Sequence, residues 1–436
     1  MEIQLECSGR ANNMNDFTNL IKMLEVPEST NIQSKAIEIT KEVDKISDIE
    51  FPNEILPIEN KTKIGEHMKI NAVSLEQFDI PEDEVVGVED ESKGSLKIGI
   101  IGAGQCGGRI AESFFRLGYT KIISINTTVQ DTNCIPNKLI FNIPNKPGGA
   151  GKNMTESSEA FTSYKDKLYN EMTEVFGKVD HIFVCAGLGG GSGAGAIVQT
   201  LELAKKYMNY IGYDDQNKRV GAIVTLPTVG EAASPIVASN AFKKGNELST
   251  LADAGLIMPL IIIDNDKIKN LYRGLTIANF YPTINDTIAQ MFDIFNQISS
   301  MSSEYVTFDA TDFLSLLQSS GHMTMGVTVV KDFSQKTSIS DALKMNLTKT
   351  LLASDFDLTT AKSAAVIAVV GKSLVENSAG LMDNIEYGFD TIASLTGNAA
   401  IHRGIYADDE SEIVRVYTAI SGLTKPGKRY ARLEKK

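Results

Sequence analysis

The 436-residue chain has no tryptophan, four histidines and four cysteines, and each scarcity removes a class of chemistry. Cys7, Cys106, Cys134 and Cys185 fall without CxxC spacing, so no thiolate zinc site is expected and the usage fits a reducing cytoplasm. The histidines are dispersed, with no HExxH pair, which leaves metal catalysis by protein ligands alone without a donor set. Long apolar runs are missing, so neither a signal peptide nor a membrane span is expected. A GxxxxGK[ST] run is absent as well, which disfavours a P-loop NTPase.

What is present is charge in one place and glycine in several. Residues 1–95 hold 21 acidic against 9 basic side chains, so nearly all of the net charge of −13 belongs to that segment. Its poverty in aromatics and its acidic runs predict a solvated, largely disordered extension. A short amphipathic piece, Phe17–Leu24, would suit a helix that docks on a partner. The other end, Lys425–Lys436, carries six basic residues against one acid. It reads equally as a surface for nucleic acid or an acidic protein, such as a DNA-bound adaptor, and as a plain terminus.

From Leu96 onward, apolar strand-like runs alternate with amphipathic helix-like ones, the pattern of a doubly wound, mostly parallel α/β sheet covered on both faces. Strands are expected at Lys97–Ile101, Lys121–Ile125, Lys138–Ile143, His181–Ala186, Val220–Leu226 and Leu256–Asp264. A long helix is expected from Tyr281 to Met301, with Pro282 in its first turn and Ile284, Ile288, Met291, Phe292, Phe295 and Ile298 at helical spacing. Beyond it a smaller α+β unit is expected, with strands near Met323–Val330, Ala364–Val370, Ile401–Tyr406 and Ile413–Ala419 and helices near Ser340–Leu352 and Met382–Leu395. A hydrophobic content of 42% is enough for two cores. The expected division is an extension over 1–95, a nucleotide-binding domain over 96–280, a central helix over 281–302, a C-terminal domain over 303–424 and a basic tail over 425–436.

The run Gly187-Leu188-Gly189-Gly190-Gly191-Ser192-Gly193-Ala194-Gly195 stands between a buried-strand pattern and a helix pattern. Six glycines and a hydroxyl leave mostly bare backbone, and backbone N–H groups before a helix N-terminus bind phosphate. A flexible linker is the bland alternative, but a linker is not clamped between a strand and a helix. A second glycine loop, Gly102-Ala103-Gly104-Gln105-Cys106-Gly107, follows the first strand and satisfies GxGxxG, which also suits a dinucleotide-binding dehydrogenase. Against that, the second strand ends at Asn126-Thr127-Thr128 where a ribose-binding acid would be expected.

Together the loops resemble the tubulin/FtsZ family of GTP-binding, filament-forming proteins. Gly104-Gln105-Cys106-Gly107 is similar to the family's first nucleotide loop. Gly189–Gly195 is similar to its GGG[ST]G[ST]G signature, with Ala194 in place of a hydroxyl. Asn126–Gln130 resembles the NTDxQ loop with Thr128 for the Asp, Pro147–Asn153 the loop near the γ-phosphate, and Val224–Glu231 the ribose-side loop. The resemblance implies GTP/GDP with Mg²⁺ as ligand. Its contacts carry over to Gly104, Gln105, Cys106, Gly107, Arg109, Asn126, Thr128, Gly149, Ala150, Gly151, Asn153, Gly189, Gly190, Gly191, Ser192, Gly193, Glu231, Tyr281, Asn285 and Asp286. Tyr281 and Asn285 stand four apart on one helix face, so a ring to stack a base and an amide to read its edge project together. A core tyrosine beside an exposed amide is the plain alternative.

The phosphate loops supply no group to polarise a water. Phe308-Asp309-Ala310-Thr311-Asp312-Phe313 resembles the family's NxDxxD loop, which enters the next subunit's nucleotide site, with Thr307 where Asn is usual. The resemblance assigns catalysis to Asp309 and Asp312, in a GTPase completed only by head-to-tail self-association. From the residues alone, Asp309 serves equally as the cap of a helix beginning at Ala310. Pro235 stands where the family has Arg, and the C-terminal region looks more like the plasmid and phage branches, TubZ and PhuZ, than like division-type FtsZ. That points to a cytoplasmic, host-cytoplasmic if phage-encoded, protein that positions or segregates DNA. A cell-division GTPase and a nucleotide-binding structural or regulatory protein with little turnover are the alternatives.

Overall fold

The computed structural model describes residues 93–434 apart from 132, 147, 272–275, 331–332, 334, 350–354, 398 and 409–412. The acidic extension before residue 93, the Phe17–Leu24 piece, Pro147 and the far end of the Ser340–Leu352 helix lie outside the described residues.

Buried aliphatic runs supply the first half of a single sheet: β1 (Ile98–Ala103), β2 (Ile122–Asn126), β3 (Lys138–Ile140), β4 (His181–Gly187), β5 (Val220–Leu226) and β6 (Leu260–Asp264). All pair in parallel, in the order β3-β2-β1-β4-β5-β6. Consecutive side chains of a strand face opposite ways, and β1 shows the result. Ile98 and Ile100 enter one core, while Ile101 and Ala103 enter another on the opposite face. Both faces are therefore covered, as an all-parallel sheet requires. The strand order reverses between β1 and β4, and a doubly wound sheet opens its ligand crevice beyond the carboxyl ends at such a point.

The covering helices are α1 (Gly104–Arg116), α2 (Met154–Val175), α3 (Ser192–Tyr210), α4 (Pro235–Asp253) and the short α5 (Asn265–Leu271). The long helix α6 (Ile277–Ile298) begins a turn earlier than the Tyr281 start expected from sequence. Pro282 therefore sits inside the helix and not in its first turn, where it withholds one N–H from the carbonyl ladder. Ile284, Ile288, Met291, Phe292, Phe295 and Ile298 all enter the β1-side core. The strand expected from Leu256 starts only at Leu260, because Pro259 has no donor for the ladder.

After α6 come α7 (Ala310–Leu317), β7 (His322–Val330), α8 (Ser338–Lys349), β8 (Ser363–Gly371), α9 (Lys372–Asn377), α10 (Leu381–Leu395), β9 (Ala400–Asp408) and β10 (Val414–Leu423). The sheet is continuous through this region, running β6-β7-β10-β8-β9. The seam is thin, since only Leu260 with His322 and Ile261 with Met323 join β6 to β7. β10 lies antiparallel between β7 and β8, and β9 runs parallel to β8 at the edge. A third core, including Leu343, Ile385 and Phe389, fills the space under α8 and α10.

The basic tail is a docked helix, α11 (Gly427–Glu434), where its composition reads as a binding surface or a plain terminus. Tyr430 and Leu433 are buried in the core beside α4. Arg429 is buried too, with Nε 3.0 Å from Asp264 Oδ2 and a further bond to the Pro227 carbonyl. Lys425 donates to Asn246 (2.6 Å), and Lys428 lies 3.5 Å from Asp355.

His322 joins three of these elements. Its Nδ1 lies 3.2 Å from the Leu423 carbonyl, which can only accept, so Nδ1 carries the proton and Nε2 accepts from Ser249 Oγ at 3.1 Å. Burial holds its pKa down at about 4, from 6.5. The unfolded chain thus takes up a proton that the folded one refuses, and this stabilisation is present above pH 6.5 and lost as pH falls toward 4. His322→Gln removes that titration, so its urea midpoint is expected to fall less than the parent's between about pH 6.5 and 4. Raised carboxylates such as Asp180 and Asp264 are common to both chains and cancel in the difference.

Candidate nucleotide-binding site

Two glycine loops meet at the carboxyl ends of β1 and β4, backbone against backbone. A Cβ on Gly107 would lie 2.0 Å from the Cys185 carbonyl oxygen, and one on Gly193 would lie 2.6 Å from that of Ala103. Gly104 has φ +69°, and a Cβ there would stand 2.8 Å from Gly193 N. These positions admit only glycine, which explains the composition of both loops. The helices that follow, α1 and α3, start at Ala103 and Gly191 with no side-chain cap. Their first N–H groups, with the positive end of each helix dipole, face the crevice, an arrangement suited to an anion.

Two further loops and the helices α2 and α4 are tied to this pair through hydroxyls and one amide. Thr127 Oγ1 lies 2.6 Å from Ser192 Oγ and accepts from Ala150 N at 3.3 Å. Ser157 Oγ donates to the Ser192 carbonyl (2.9 Å), and Asn240 Nδ2 donates to the carbonyls of Lys152 (2.9 Å) and Gly190 (3.3 Å). Gly149 and Gly151 have φ +90° and +54°, and Gly191 packs against Asn153 N. Gly189 lies against Val237, while Gly190 has open space beside it. The structure thus gathers the glycines of all three phosphate-side loops with Ala150 and Ser192.

Several polar residues expected at the ligand are engaged within the chain. Asn153 caps α2, accepting from the N–H groups of Thr155 (3.0 Å) and Glu156 (3.3 Å). Asn126 Nδ2 donates to Asp131 (2.9 Å), and Thr128 Oγ1 accepts from Gln130 N (3.2 Å). Cys106 Sγ lies 3.2 Å from Thr225 Oγ1, and burial pushes its thiol pKa up, so it is a packing group and not a nucleophile. Gln105 is exposed. The Arg109 guanidinium makes no ion pair among the described residues and remains available to an anion.

At the base side, Glu231 accepts from Thr228 N (2.7 Å) through one oxygen and from the Tyr281 hydroxyl (3.1 Å) through the other. Burial and the Glu231 charge both raise the Tyr281 pKa, which keeps the phenol protonated. Asn285 is only 6% exposed, yet among the described residues its amide bonds to nothing in the chain. Its amide atoms are not sealed from solvent, so a ligand edge can reach them. Asp286 points elsewhere, into an ion pair with Arg116 at the end of α1. Adjacent residues of the Asn285-Asp286 pair thus serve different neighbours, as a helix demands.

Asp309 and Asp312 stand far from these loops. Asp309 caps α7, accepting from Asp312 N (2.9 Å), and Asp312 returns the bond from Asp309 N (3.2 Å), a complete capping box. Tyr281, bonded to Glu231, marks one end of α6, while Asn296 near its other end bonds Leu96 beside the start of β1. The rise between Tyr281 and Ile298 is about 25 Å, and the Asp loop follows Ile298. Phosphate loops and carboxylates therefore occupy opposite ends of one molecule.

The matched family models follow the same geography. The Tubulin/FtsZ family GTPase domain matches residues 97–273, and the C-terminal domain of the tubulin-like protein TubZ matches residues 306–427. The chain belongs to the tubulin/FtsZ family. Among its relatives, TubZ of Bacillus cereus is 27% identical over 267 residues, 56% of this chain and 58% of that protein, so the chain spans little more than half the length of that relative. The fold is similar to a GTPγS-form protofilament of Bacillus thuringiensis serovar israelensis TubZ, with TM-score 0.66, 21% identity, and 79% and 92% of the two chains covered. It is also similar to a structure described as type III plasmid segregation TubZ, with TM-score 0.63, 21% identity, and 79% and 92% covered.

Thr127, Ser157 and Asn240 organise this tubulin/FtsZ-type site without having been picked out as site residues. Thr127 lies between two residues that were, and only the fold shows that its hydroxyl is the one turned inward. Gly104→Ala is expected to lose roughly 1–2 kcal/mol from the left-handed backbone alone, plus the overlap with Gly193. Gly190→Ala, with space beside it, should unfold like the parent. Urea midpoints of the two variants check the contrast, and equal midpoints would contradict the interlocked-loop geometry.

Proposed function

We propose that this tubulin/FtsZ-family protein binds and hydrolyses GTP and polymerises head to tail, and that its cytoplasmic filaments position or segregate plasmid or phage DNA. The observation that carries the proposal is the separation along α6. The glycine loops at the carboxyl end of the sheet carry no carboxylate to act on water, Glu231 being engaged by Thr228 and Tyr281, and a carboxylate pair stands at the other end. Stacking one subunit on the next brings the two together, and a head-to-tail contact that does not close continues into a filament.

In this scheme Gly104, Gln105, Cys106 and Gly107, with Gly189–Gly193 and Gly149–Gly151, offer N–H groups to the phosphates, Arg109 adds positive charge, and Tyr281 and Asn285 take the guanine. Glu231 is the ribose-side group. The carboxylates of Asp309 and Asp312 from the neighbouring subunit orient a water in line with the γ-phosphate. Among the described residues no cluster of three His, Cys, Asp or Glu forms a metal cage, which fits a magnesium ion held largely by phosphate oxygens and water. Mg²⁺ would neutralise charge on the phosphates. Loss of the γ-phosphate would weaken the interface and release subunits. The TubZ-type C-terminal match and the plasmid segregation description of a structural relative favour DNA over cell division as the cargo. The DNA-bound adaptor would meet the exposed cations of α11, such as Lys428, since Arg429 is committed to the fold.

The capping box favours a second reading, a nucleotide-binding structural protein with little turnover, because it gives both aspartates an occupation without catalysis. Light scattering and phosphate release with GTP and Mg²⁺ separate the two. In the split-site scheme, hydrolysis per subunit rises with protein concentration, and Asp312→Asn assembles but hydrolyses roughly 100-fold more slowly. A rate per subunit independent of concentration, with Asp309→Ala losing only about 1 kcal/mol of stability and no turnover, would favour the low-turnover reading.

A further inference from the structure

The loop that carries Asp309 and Asp312 is held by one strand, β9, and by one histidine on it in particular. Ile405 N donates to the Val306 carbonyl (2.8 Å). The Tyr406 hydroxyl accepts from Phe308 N (2.9 Å) and donates to the Phe308 carbonyl (3.1 Å). Ser303 Oγ donates to the Ile405 carbonyl. A Cβ on Gly404 would come within 3.1 Å of Phe308 Cβ, so strand and loop pack closely there. Each of these bonds fixes backbone. Only one fixes a carboxylate: His402 Nδ1 lies 2.7 Å from Asp312 Oδ1.

The protonation of that contact follows from its partners. An ionised carboxylate only accepts, so Nδ1 must carry the hydrogen. The other ring nitrogen, Nε2, is buried with no hydrogen-bond partner. Nε2 thus adds no second contact, and the ring meets Asp312 through Nδ1 alone. Arg403, the next residue on β9, projects to the other side toward Asp390 at 3.7 Å, and its charge does not enter the pair. Asp312 thus has Oδ2 bonded to Asp309 N and Oδ1 bonded to His402, and its carboxylate plane is set from both ends. The imidazole side chain is 18% exposed and the carboxylate 29%, which leaves lone pairs of Asp312 open outward while the histidine stays behind it.

We propose that His402 is the positioning residue for hydrolysis: by donating Nδ1–H to Asp312 it fixes the carboxylate that acts on the neighbouring subunit's nucleotide. This rests on the split-site function proposed above. His402 touches neither nucleotide nor water, and acts only through Asp312. The geometry resembles the orienting role a carboxylate plays for a catalytic imidazole, with the partners exchanged.

The test uses the full chain with GTP and Mg²⁺ for turnover, and sedimentation with a slowly hydrolysed GTP analogue for assembly. His402→Phe keeps the ring volume and loses the donor, and it should assemble in the analogue like the parent while hydrolysing ten- to a hundredfold more slowly per assembled subunit. His402→Asn places an amide N–H at the same number of bonds from Cα as Nδ1 and should recover to within about threefold of the parent. His402→Gln, whose N–H reaches the Nε2 position, should not recover. Because the histidine acts through Asp312, the double variant H402F/D312N should be no slower than D312N alone. Parental turnover in His402→Phe, equal losses in the Asn and Phe variants, or additive losses in the double variant would each overturn the assignment. Parental turnover in D312N would instead overturn the split site beneath it, so the two failures are distinguishable.

Discussion

The structure depends on two backbones lying closer than any side chain allows. Where α1 starts after β1 and α3 starts after β4, Gly107 faces the Cys185 carbonyl, Gly193 faces that of Ala103, and Gly104 faces Gly193 N. Only in this interlocked state do both helix N-termini open onto one space. A single added methyl group at Gly107 or Gly193 would push strand and helix apart, and the space between their dipoles would cease to be a common site. The other loops lean on this pair. Thr127 reaches Ser192, Ser157 reaches the Ser192 carbonyl, and Asn240 reaches the Gly190 carbonyl. The shape of the cradle is thus a property of chain packing.

The same parallel sheet sets the distance between cradle and carboxylates. Every strand from β1 to β6 points its carboxyl end at the cradle, and α6 runs back from there toward the sheet's amino end, where Asn296 meets Leu96. The loop after α6 has no path back to the cradle, because α7 and β7 leave it directly for the far half of the sheet. A helix with seven buried apolar residues on its β1-side face is a rigid spacer. Its length, and no special feature of the aspartates, keeps glycine loops and carboxylates apart within one subunit.

Much of this was legible in the chain because the signals were local. Buried strands announced themselves as aliphatic runs, and Val220–Leu226 coincides with β5 residue for residue. Glycine loops between strand and helix patterns marked the cradle for the same reason, since the steric need acts on the glycine itself. Where a second element decided, sequence was silent. Thr127, Asn240 and His402 act through partners 65, 50 and 90 residues away. Pro282 reads as a first-turn residue because a proline there is a stronger signal than Thr276, the cap residue after which the helix in fact starts. The basic run at the end looked free for a related reason. Its charges were countable, but the acid that holds Arg429 is Asp264, at the end of β6.

That last pairing bears on how the two ends of the molecule are kept in step. Only two residue pairs join β6 to β7, so the sheet alone transmits little between the nucleotide half and the rest. The core shared by α6, α7 and β7 and the His322–Ser249 bond also join the halves, and α11 adds a further tie, with Tyr430 and Leu433 in the core beside α4, and with Arg429 paired with Asp264 and bonded to the carbonyl of Pro227, next to the Thr228–Glu231 turn that meets Tyr281. A buried ion pair of this kind contributes little net stability, but breaking one partner leaves an uncompensated charge. It therefore specifies a position more than it strengthens the fold. At the opposite end β9 specifies the position of the aspartate loop. The C-terminal half thus braces both surfaces that a neighbouring subunit would meet, one through α11 and one through β9, across a seam too narrow to do so by itself.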